Sequence, residues 1–260
     1  MREVTATLQP DEELIKIDTR PGVTVRLLLT KPQGTPKGII LIYPGGPGFL
    51  VVNPYGVVYG AFRREFLNLG YLSAVVDVPS DMPEGLGGGG ESYFEKFRLS
   101  EEHARDTRAV VEALRKRWPA PVYLFGHSMG AISVAHLAAS LNDPHLRGIV
   151  LAGSPTRRGP QASWVSVPDA RLDKITVPAV LVHHKNDGCS GSTFEGARDY
   201  PRYFSASPRV GFIAVTGGWF PQSSNPCEGA NQHTFYGRRR EVADAVVRWM
   251  NGEDISRIGD

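Results

Sequence analysis

The segment GHSMG at residues 126–130 places a lone serine, Ser128, between two glycines. The apolar run VYLF at 122–125 precedes it, and an alanine-rich helical pattern follows it. A strand that turns directly into a helix forces its central residue into a strained backbone conformation, which lifts the side chain above the sheet. We therefore predict that Ser128 is a nucleophile. The alternative is a turn serine that caps a helix.

A serine hydroxyl is a weak nucleophile near neutral pH and needs an adjacent general base. Of seven histidines, His233 lies after the last predicted strand and just before the last predicted helix. A loop at that point can lower an imidazole onto the serine, whereas His127 is predicted to point elsewhere. We predict His233 as the base, and the alternative is a histidine of a surface loop.

The base needs a carboxylate that fixes its tautomer and stabilises the imidazolium. Asp187 lies where the strand-like run AVLVHH ends and turns into a loop. It is either the acid or merely a turn residue before a glycine. Asp199 and Glu195 lie farther into the loop and are weaker candidates, and Asp77, at the end of an earlier strand, is the alternative acid.

Strand-like and helical patterns alternate along the chain and predict the elements that position these residues. Strands are predicted at 13–20, 23–30, 38–43, 71–78, 122–126, 148–153, 179–184 and 210–215. Helices are predicted at 56–69, 100–117 (capped by Ser100), 129–140 and 238–250. The alternation indicates an α/β fold with a mostly parallel sheet and helices on both faces. Pro21-Gly22 between the first two strands predicts a hairpin at an antiparallel N-terminal edge.

The chain shows no repeat or linker, so its 260 residues are predicted to form one domain over 1–260. Residues 155–175 leave little room for a separate cap domain. We expect the rim of the site to involve the glycine-rich loop at 83–92 and Trp164. Trp219 and Phe220 are either an aromatic wall of the site or part of the core.

Composition excludes several classes of partner. The net charge is only +2, so neither nucleic acid nor an anionic membrane is indicated, and Arg238 to Arg240 are interpreted as a solvated helix face. No apolar run approaches the ~20 residues of a membrane span. The N-terminal MREVTATLQPDEEL lacks the apolar region of a signal peptide. Location therefore stays open between the cytoplasm and export from a processed precursor, and the oligomeric state stays open as well.

These residues resemble those of the α/β-hydrolase family. The resemblance spans nearly the whole chain and is carried by GHSMG, by YPGGPG at 43–48 after an earlier strand, and by the order Ser128, Asp187, His233. It implies the α/β-hydrolase fold and hydrolytic activity without a cofactor. The family's acid follows the strand at which Asp187 lies, and its base comes last in the chain.

The resemblance also implies an oxyanion hole. Met129, directly after the nucleophile, would supply one backbone N–H at the positive end of a helix dipole. The second donor would come from the loop after GIILIY. With Pro44 where the family usually has histidine, Gly46 becomes the donor and Gly45 its neighbour.

Two cysteines flank the predicted acid and base. Cys189 follows Asp187 by two residues and Cys227 precedes His233 by six, so a disulfide would tie the two loops together. Such a bridge contributes on the order of 3–4 kcal/mol in the chain-entropy model. The alternative is two free thiols of a cytoplasmic protein.

No metal site is predicted. His183, His184, Asp187 and Cys189 resemble a ligand set, but adjacent histidines on a strand point to opposite faces.

The predicted reaction is hydrolysis of a small-molecule carboxylic ester through an acyl-enzyme. GGPG also resembles the oxyanion loop of prolyl aminopeptidases, which makes a serine peptidase the first alternative, although those enzymes usually carry a helical cap and acidic groups for the substrate amine. A non-catalytic binding protein of the same fold is the second alternative. Haloperoxidase- and thioesterase-like activities also stay open.

Overall fold

The computed structural model describes residues 8–50, 58–82, 95–157, 165–227 and 229–260. The glycine-rich loop at 83–92 and Trp164, which were predicted to shape the rim of the site, lie outside these residues.

One nine-stranded sheet organises the described residues, in the order β1-β2-β4-β3-β5-β6-β7-β8-β9. The strands are β1 (Glu12–Arg20), β2 (Val23–Thr30), β3 (Ile39–Tyr43), β4 (Leu72–Val76), β5 (Val122–His127), β6 (Leu146–Ala152), β7 (Ala179–His184), β8 (Val210–Val215) and β9 (Arg257–Ile258). β1 pairs antiparallel with β2, and β2 pairs antiparallel with β4. Every other pairing is parallel. The predicted parallel sheet with an antiparallel N-terminal edge is confirmed.

Helices cover both faces of the sheet, as predicted. They are α1 (Val58–Asn68), α2 (Glu101–Arg117), α3 (Met129–Ser140), α4 (Phe194–Arg198) and α5 (Arg239–Met250). Short 3₁₀ helices lie at Val167–Ala170, Leu172–Lys174, Tyr200–Tyr203 and Gln232–Thr234, and residues 95–98 are also helical. No described helix is long and apolar enough to cross a bilayer.

The alternation of side chains along β3 shows how the two faces are built. Ile39 and Leu41 join the hydrophobic cluster under α2 and α3, whereas Ile40 and Ile42 join the cluster under α1 and α5. Both sets are buried, because a central parallel strand is covered on both faces. α2 begins as predicted, with Ser100 Oγ accepting a hydrogen bond from the His103 N–H.

Besides the short 3₁₀ helices and the helical residues 95–98, two elements were not predicted. β9 has only two residues, and α4 has five, so neither is long enough to produce a recognisable period. β9 forms because the chain after α5 returns to the sheet edge, where it pairs in parallel with β8. The boundaries of the other elements differ from prediction by three residues or fewer.

The strand order also indicates where a site should form. From β3 the chain proceeds to β4 on one side, while β5 lies on the other side of β3 and continues to β6. Parallel α/β sheets bind ligands beyond the carboxyl ends of the strands at such a reversal. The loop after β3 and the turn after β5 meet there.

Candidate active site

Ser128 lies on a strained turn between β5 and α3. Its backbone has φ 52° and ψ −127°, and its side chain makes no capping hydrogen bond. The flanking glycines are required by close packing. A Cβ on Gly126 would lie 2.3 Å from the Gly130 oxygen, and one on Gly130 would lie 2.0 Å from the Tyr43 oxygen. The partly exposed Ser128 is therefore held at the sheet's carboxyl edge by backbone contact on both sides.

Asp187 and His233 form a buried pair beyond the ends of β7 and β8. The His233 Nδ1 atom donates to Asp187 Oδ2 over 2.8 Å, and both side chains are about 1 % exposed or less. The other carboxylate oxygen accepts from the Cys189 N–H at 2.9 Å. The remaining ring nitrogen of His233, Nε2, is buried and has no hydrogen-bond partner in the described structure. The imidazole is thus oriented by Asp187 and retains an atom that can accept a proton.

A second histidine contacts the same carboxylate. His183, the next-to-last residue of β7, places Nε2 3.2 Å from Asp187 Oδ2 and 3.1 Å from the Ser192 carbonyl oxygen. Since both neighbours are acceptors, Nε2 carries the proton. Burial opposes ionisation of Asp187, but the hydrogen bonds from His183 and His233 outweigh it and hold the pKa of the carboxyl well below its usual range. Asp187 is therefore ionised at neutral pH.

His127, the residue before Ser128, points away from the serine, as predicted. Its Nε2 atom donates to the His233 backbone oxygen at 2.8 Å, and the two rings lie 4.9 Å apart. Burial, together with the nearby His233, lowers the pKa of His127 to about 3. The neutral ring therefore tethers the loop of the predicted base to the serine turn.

Residues 44–48 lie against the other side of Ser128. A Cβ on Gly45 would lie 3.0 Å from the Ser128 Cβ, so this loop contacts the serine directly. Gly46 has φ +55°, and the Gly45 oxygen accepts from the Gly48 N–H at 3.1 Å. Within the described residues, the N–H groups of Gly45, Gly46 and Met129 donate no hydrogen bond. Met129 and Gly46 are the predicted oxyanion donors, and Gly45 is the predicted neighbour.

Two buried charged residues support this loop. Arg98 donates to the Gly46 and Pro44 carbonyl oxygens at 2.7 and 3.3 Å. Asp77 accepts from the Leu50 N–H at 2.8 Å and also forms an ion pair with Arg26. The hydrogen bonds of Asp77 thus come from Leu50, Val78 and Arg26 rather than from His233. Of the four carboxylates considered as the acid, the structure brings Asp187 to the histidine.

Cys189 and Cys227 form the predicted disulfide. It joins the loop after β7 to the loop that leads to His233. Cys189 is consequently not available as a metal ligand. His184 is also engaged, because its Nε2 donates to the Gly217 oxygen at 2.9 Å and its Nδ1 accepts from the Asn186 N–H at 3.0 Å.

Trp219 and Phe220 are not part of the core. They are 63 % and 90 % exposed, on the loop between β8 and Cys227. The Trp219 ring packs edge-on against Tyr236 at 4.9 Å. The interpretation of these two aromatic residues as core is therefore wrong.

Comparisons with known proteins agree with this fold. The model of the serine aminopeptidase S33 family matches residues 84–192, which include Ser128 and Asp187. Among solved structures, Est1E from Butyrivibrio proteoclasticus has a TM-score of 0.61 at 15 % identity, with 92 % of this chain and 97 % of that chain covered. The chain has the α/β-hydrolase fold.

Two further solved structures are similar to this chain. XC6422 from Xanthomonas campestris, an α/β serine hydrolase without a lid, gives a TM-score of 0.61 at 15 % identity, covering 96 % of this chain and 100 % of that chain. An esterase of Pyrococcus furiosus, Pf2001, gives a TM-score of 0.65 at 14 % identity, covering 95 % of this chain and 94 % of that chain. No match to a curated protein was found. The predicted resemblance to the α/β-hydrolase family is confirmed.

Sequence reasoning missed three contributions to this site. His183 was considered only as a metal ligand, and His127 only as a bystander. Arg98 was not considered at all. His183 has a weak sequence signal, because it lies four residues before Asp187 at the end of the strand that leads to this aspartate. Arg98 has none, because it contacts residues more than 50 positions earlier in the chain.

Proposed function

We propose that this α/β hydrolase is a serine hydrolase that cleaves carboxylic esters through an acyl-enzyme, with Ser128, His233 and Asp187 as its triad. The comparisons support the coarser statement, an α/β serine hydrolase. The observation that carries the proposal is the buried Asp187–His233 hydrogen bond. It leaves His233 Nε2 without a partner at the sheet edge where Ser128 lies.

In the first step, His233 Nε2 takes the proton of the Ser128 hydroxyl while Oγ attacks the ester carbonyl carbon. The carbonyl oxygen becomes an oxyanion. When the bond to the alcohol oxygen breaks, the imidazolium returns its proton to the departing alcohol, and Ser128 keeps the acyl group. Asp187 stays ionised throughout and stabilises the imidazolium.

In the second step, His233 removes a proton from water, and the resulting hydroxide attacks the acyl carbon. The carboxylic acid leaves and Ser128 regains its proton. Both tetrahedral intermediates place an oxyanion between the Met129 and Gly46 N–H groups. Each such donor contributes roughly 3 kcal/mol to transition-state stabilisation.

A peptidase is the second candidate, since the matching family model is that of serine aminopeptidases. An aminopeptidase needs a carboxylate that binds the substrate ammonium group. Asp77 and Asp187 are both engaged, with backbone N–H groups and with histidines respectively. Because both carboxylates already have these partners, they are poorly placed to bind a substrate ammonium group. This favours an ester substrate over an aminoacyl substrate.

The test is hydrolysis of p-nitrophenyl esters of increasing acyl length, together with aminoacyl p-nitroanilides. Ser128→Ala is compared with Ser140→Ala, an exposed serine at the other end of α3. We expect wild type and Ser140→Ala to hydrolyse esters and to be labelled by a fluorophosphonate. Ser128→Ala should lose both properties.

The other outcomes discriminate among the alternatives. Turnover of anilides that exceeds turnover of esters would establish the peptidase. Ester hydrolysis that persists in Ser128→Ala would contradict the proposed nucleophile. A folded wild-type protein with neither turnover nor labelling would favour a non-catalytic binding protein.

A further inference from the structure

Arg98 is a buried arginine beneath the predicted oxyanion hole. The residue is 5 % exposed, and its guanidinium donates three hydrogen bonds to neutral oxygens. They are Ser133 Oγ at 2.8 Å, the Gly46 oxygen at 2.7 Å and the Pro44 oxygen at 3.3 Å. A buried charge is expensive unless it is well hydrogen-bonded, so a guanidinium at this place needs a physical explanation.

Arg98 joins the two elements that flank Ser128. Its contacts with Pro44 and Gly46 lie on the loop after β3, and its contact with Ser133 lies on α3, the helix that begins at Met129. These elements supply the two proposed oxyanion donors. One rigid, planar group therefore sets the distance between both halves of the hole.

The contact with the Pro44 oxygen also orients a peptide. In a trans peptide the C=O and N–H groups point in opposite directions, so a carbonyl directed at Arg98 turns the Gly45 N–H away from it. The guanidinium polarises that peptide as well, and a polarised amide is a stronger donor. The Gly45 oxygen accepts from the Gly48 N–H, which orients the Gly46 N–H in the same manner.

The loop leaves room for this arginine at Gly48. A Cβ there would lie 3.0 Å from Arg98 Nη2, and Gly48 has φ +86°, a conformation that favours glycine. Burial lowers the pKa of Arg98 to about 10, and the nearby Glu95 carboxylate opposes that shift. The group is therefore cationic at neutral pH, and its field favours a negative charge above the loop.

We propose that Arg98 is a positioning residue that holds the loop at 44–48 and the start of α3 in the geometry that binds the oxyanion. The inference rests on the proposed function. Arg98 acts through the backbone and does not touch the reacting atoms. Its loss should weaken transition-state binding more than substrate binding.

The experiment compares Arg98→Gln and Arg98→Lys with Arg63→Gln. Arg63 is a matched control, since it is equally buried but pairs with Glu12 and Thr30 at the other edge of the sheet. For each folded variant we would measure kcat and KM on a p-nitrophenyl ester, normalised by fluorophosphonate titration of active sites. The inhibition constant of an alkyl trifluoromethyl ketone, which forms a tetrahedral oxyanion on serine, would be measured in parallel.

We expect Arg98→Gln to lower kcat about 10- to 100-fold, less than direct loss of an oxyanion donor, with KM within about twofold. The ketone's inhibition constant should rise by a similar factor. Arg98→Lys should fall between wild type and Arg98→Gln, because an ammonium group cannot reach all three oxygens. Arg63→Gln should lower the melting temperature and leave kcat and ketone inhibition unchanged.

A folded Arg98→Gln variant with wild-type kcat and ketone affinity would overturn the inference. If that variant does not fold, Arg98→Lys decides the matter, and wild-type kcat and ketone affinity in it would overturn the inference equally. Loss of active-site titre with normal ketone affinity in the remaining sites would indicate a merely structural role. A wild-type protein that shows neither turnover nor labelling contradicts the proposed function itself, and the role of Arg98 falls with it.

Discussion

The two sides of Ser128 are held by different kinds of interaction. On the acid–base side, which carries the proposed acid and base, the loops after β7 and β8 are joined by the Cys189–Cys227 disulfide and by the hydrogen bond between Asp187 and His233. On the side of the proposed oxyanion hole, the loop after β3 accepts a hydrogen bond from the buried Arg98 and donates one to the buried Asp77.

The difference follows from what each side must position. A base and an acid are side chains, and they are oriented by bonding them to each other and constraining the loops that carry them. An oxyanion donor is a backbone N–H, which has no side chain to hold. Its direction is set by the carbonyls of the neighbouring peptides, and this is why we propose that a buried donor to such carbonyls, Arg98, holds the loop.

The largest expected effect is on the acid–base side. Asp187→Asn should lower kcat about 10³- to 10⁴-fold, because a neutral amide no longer selects the tautomer of His233 or stabilises its imidazolium. Ester hydrolysis by titrated enzyme is the measurement. Asp77→Asn serves as the comparison and should lose less than tenfold, and equal losses would restore Asp77 as a candidate acid.

The disulfide should contribute mainly to stability. The bridge spans 38 residues, so its removal in the double variant Cys189→Ser/Cys227→Ser should cost about 4 kcal/mol. Thermal unfolding should then shift down by roughly 10 °C. Dithiothreitol should reproduce the shift in wild type and have no effect on the double variant. A wild-type melting curve insensitive to reductant would contradict the prediction.

The buried His127 should make the fold sensitive to acid. Its pKa is lowered to about 3 in the folded state, so between the ordinary value of 6.5 and about 3 the unfolded chain binds the extra proton. Stability therefore falls as pH decreases through this window. At pH 5 this difference in proton binding at His127 lowers the free energy of unfolding by about 2 kcal/mol.

The measurement is urea unfolding at pH 7.5 and pH 5, in wild type and in His127→Gln, whose amide can still donate to the His233 oxygen. His103, His136 and His184 also have lowered pKa values and destabilise both proteins in acid. The variant should therefore lose less stability than wild type on acidification. Equal losses would show that His127 does not contribute.

The smallest expected effect concerns His183. His183→Phe removes one of the two imidazole donors to Asp187 and should lower kcat about threefold to tenfold, since His233 still bonds the carboxylate. His183→Gln, which keeps an N–H donor, should recover most of the loss. Identical rates in all three proteins, measured with titrated enzyme, would assign His183 to packing alone.

Sequence patterns predicted the elements well wherever the signal was local. The hairpin of β1 and β2 follows from Pro21-Gly22 between two strand-like runs, and α2 begins at its predicted cap, Ser100. β9 was missed, because its formation depends on the partner strand β8 rather than on its own two residues. α4 was missed because five residues between longer elements carry too little periodicity.

The sequence by itself determined the candidates for chemistry: a serine between glycines at a strand-to-helix turn, an aspartate and a histidine in the expected order, and the cysteines beside them. Such signals can be recognised in the sequence because they depend on residue type and on neighbours a few positions away. Only the tertiary structure decided what supports these residues. Arg98, Asp77 and His127 act across 27 to 106 positions of chain, where folding alone brings a guanidinium, a carboxylate and an imidazole to the backbone groups they hold.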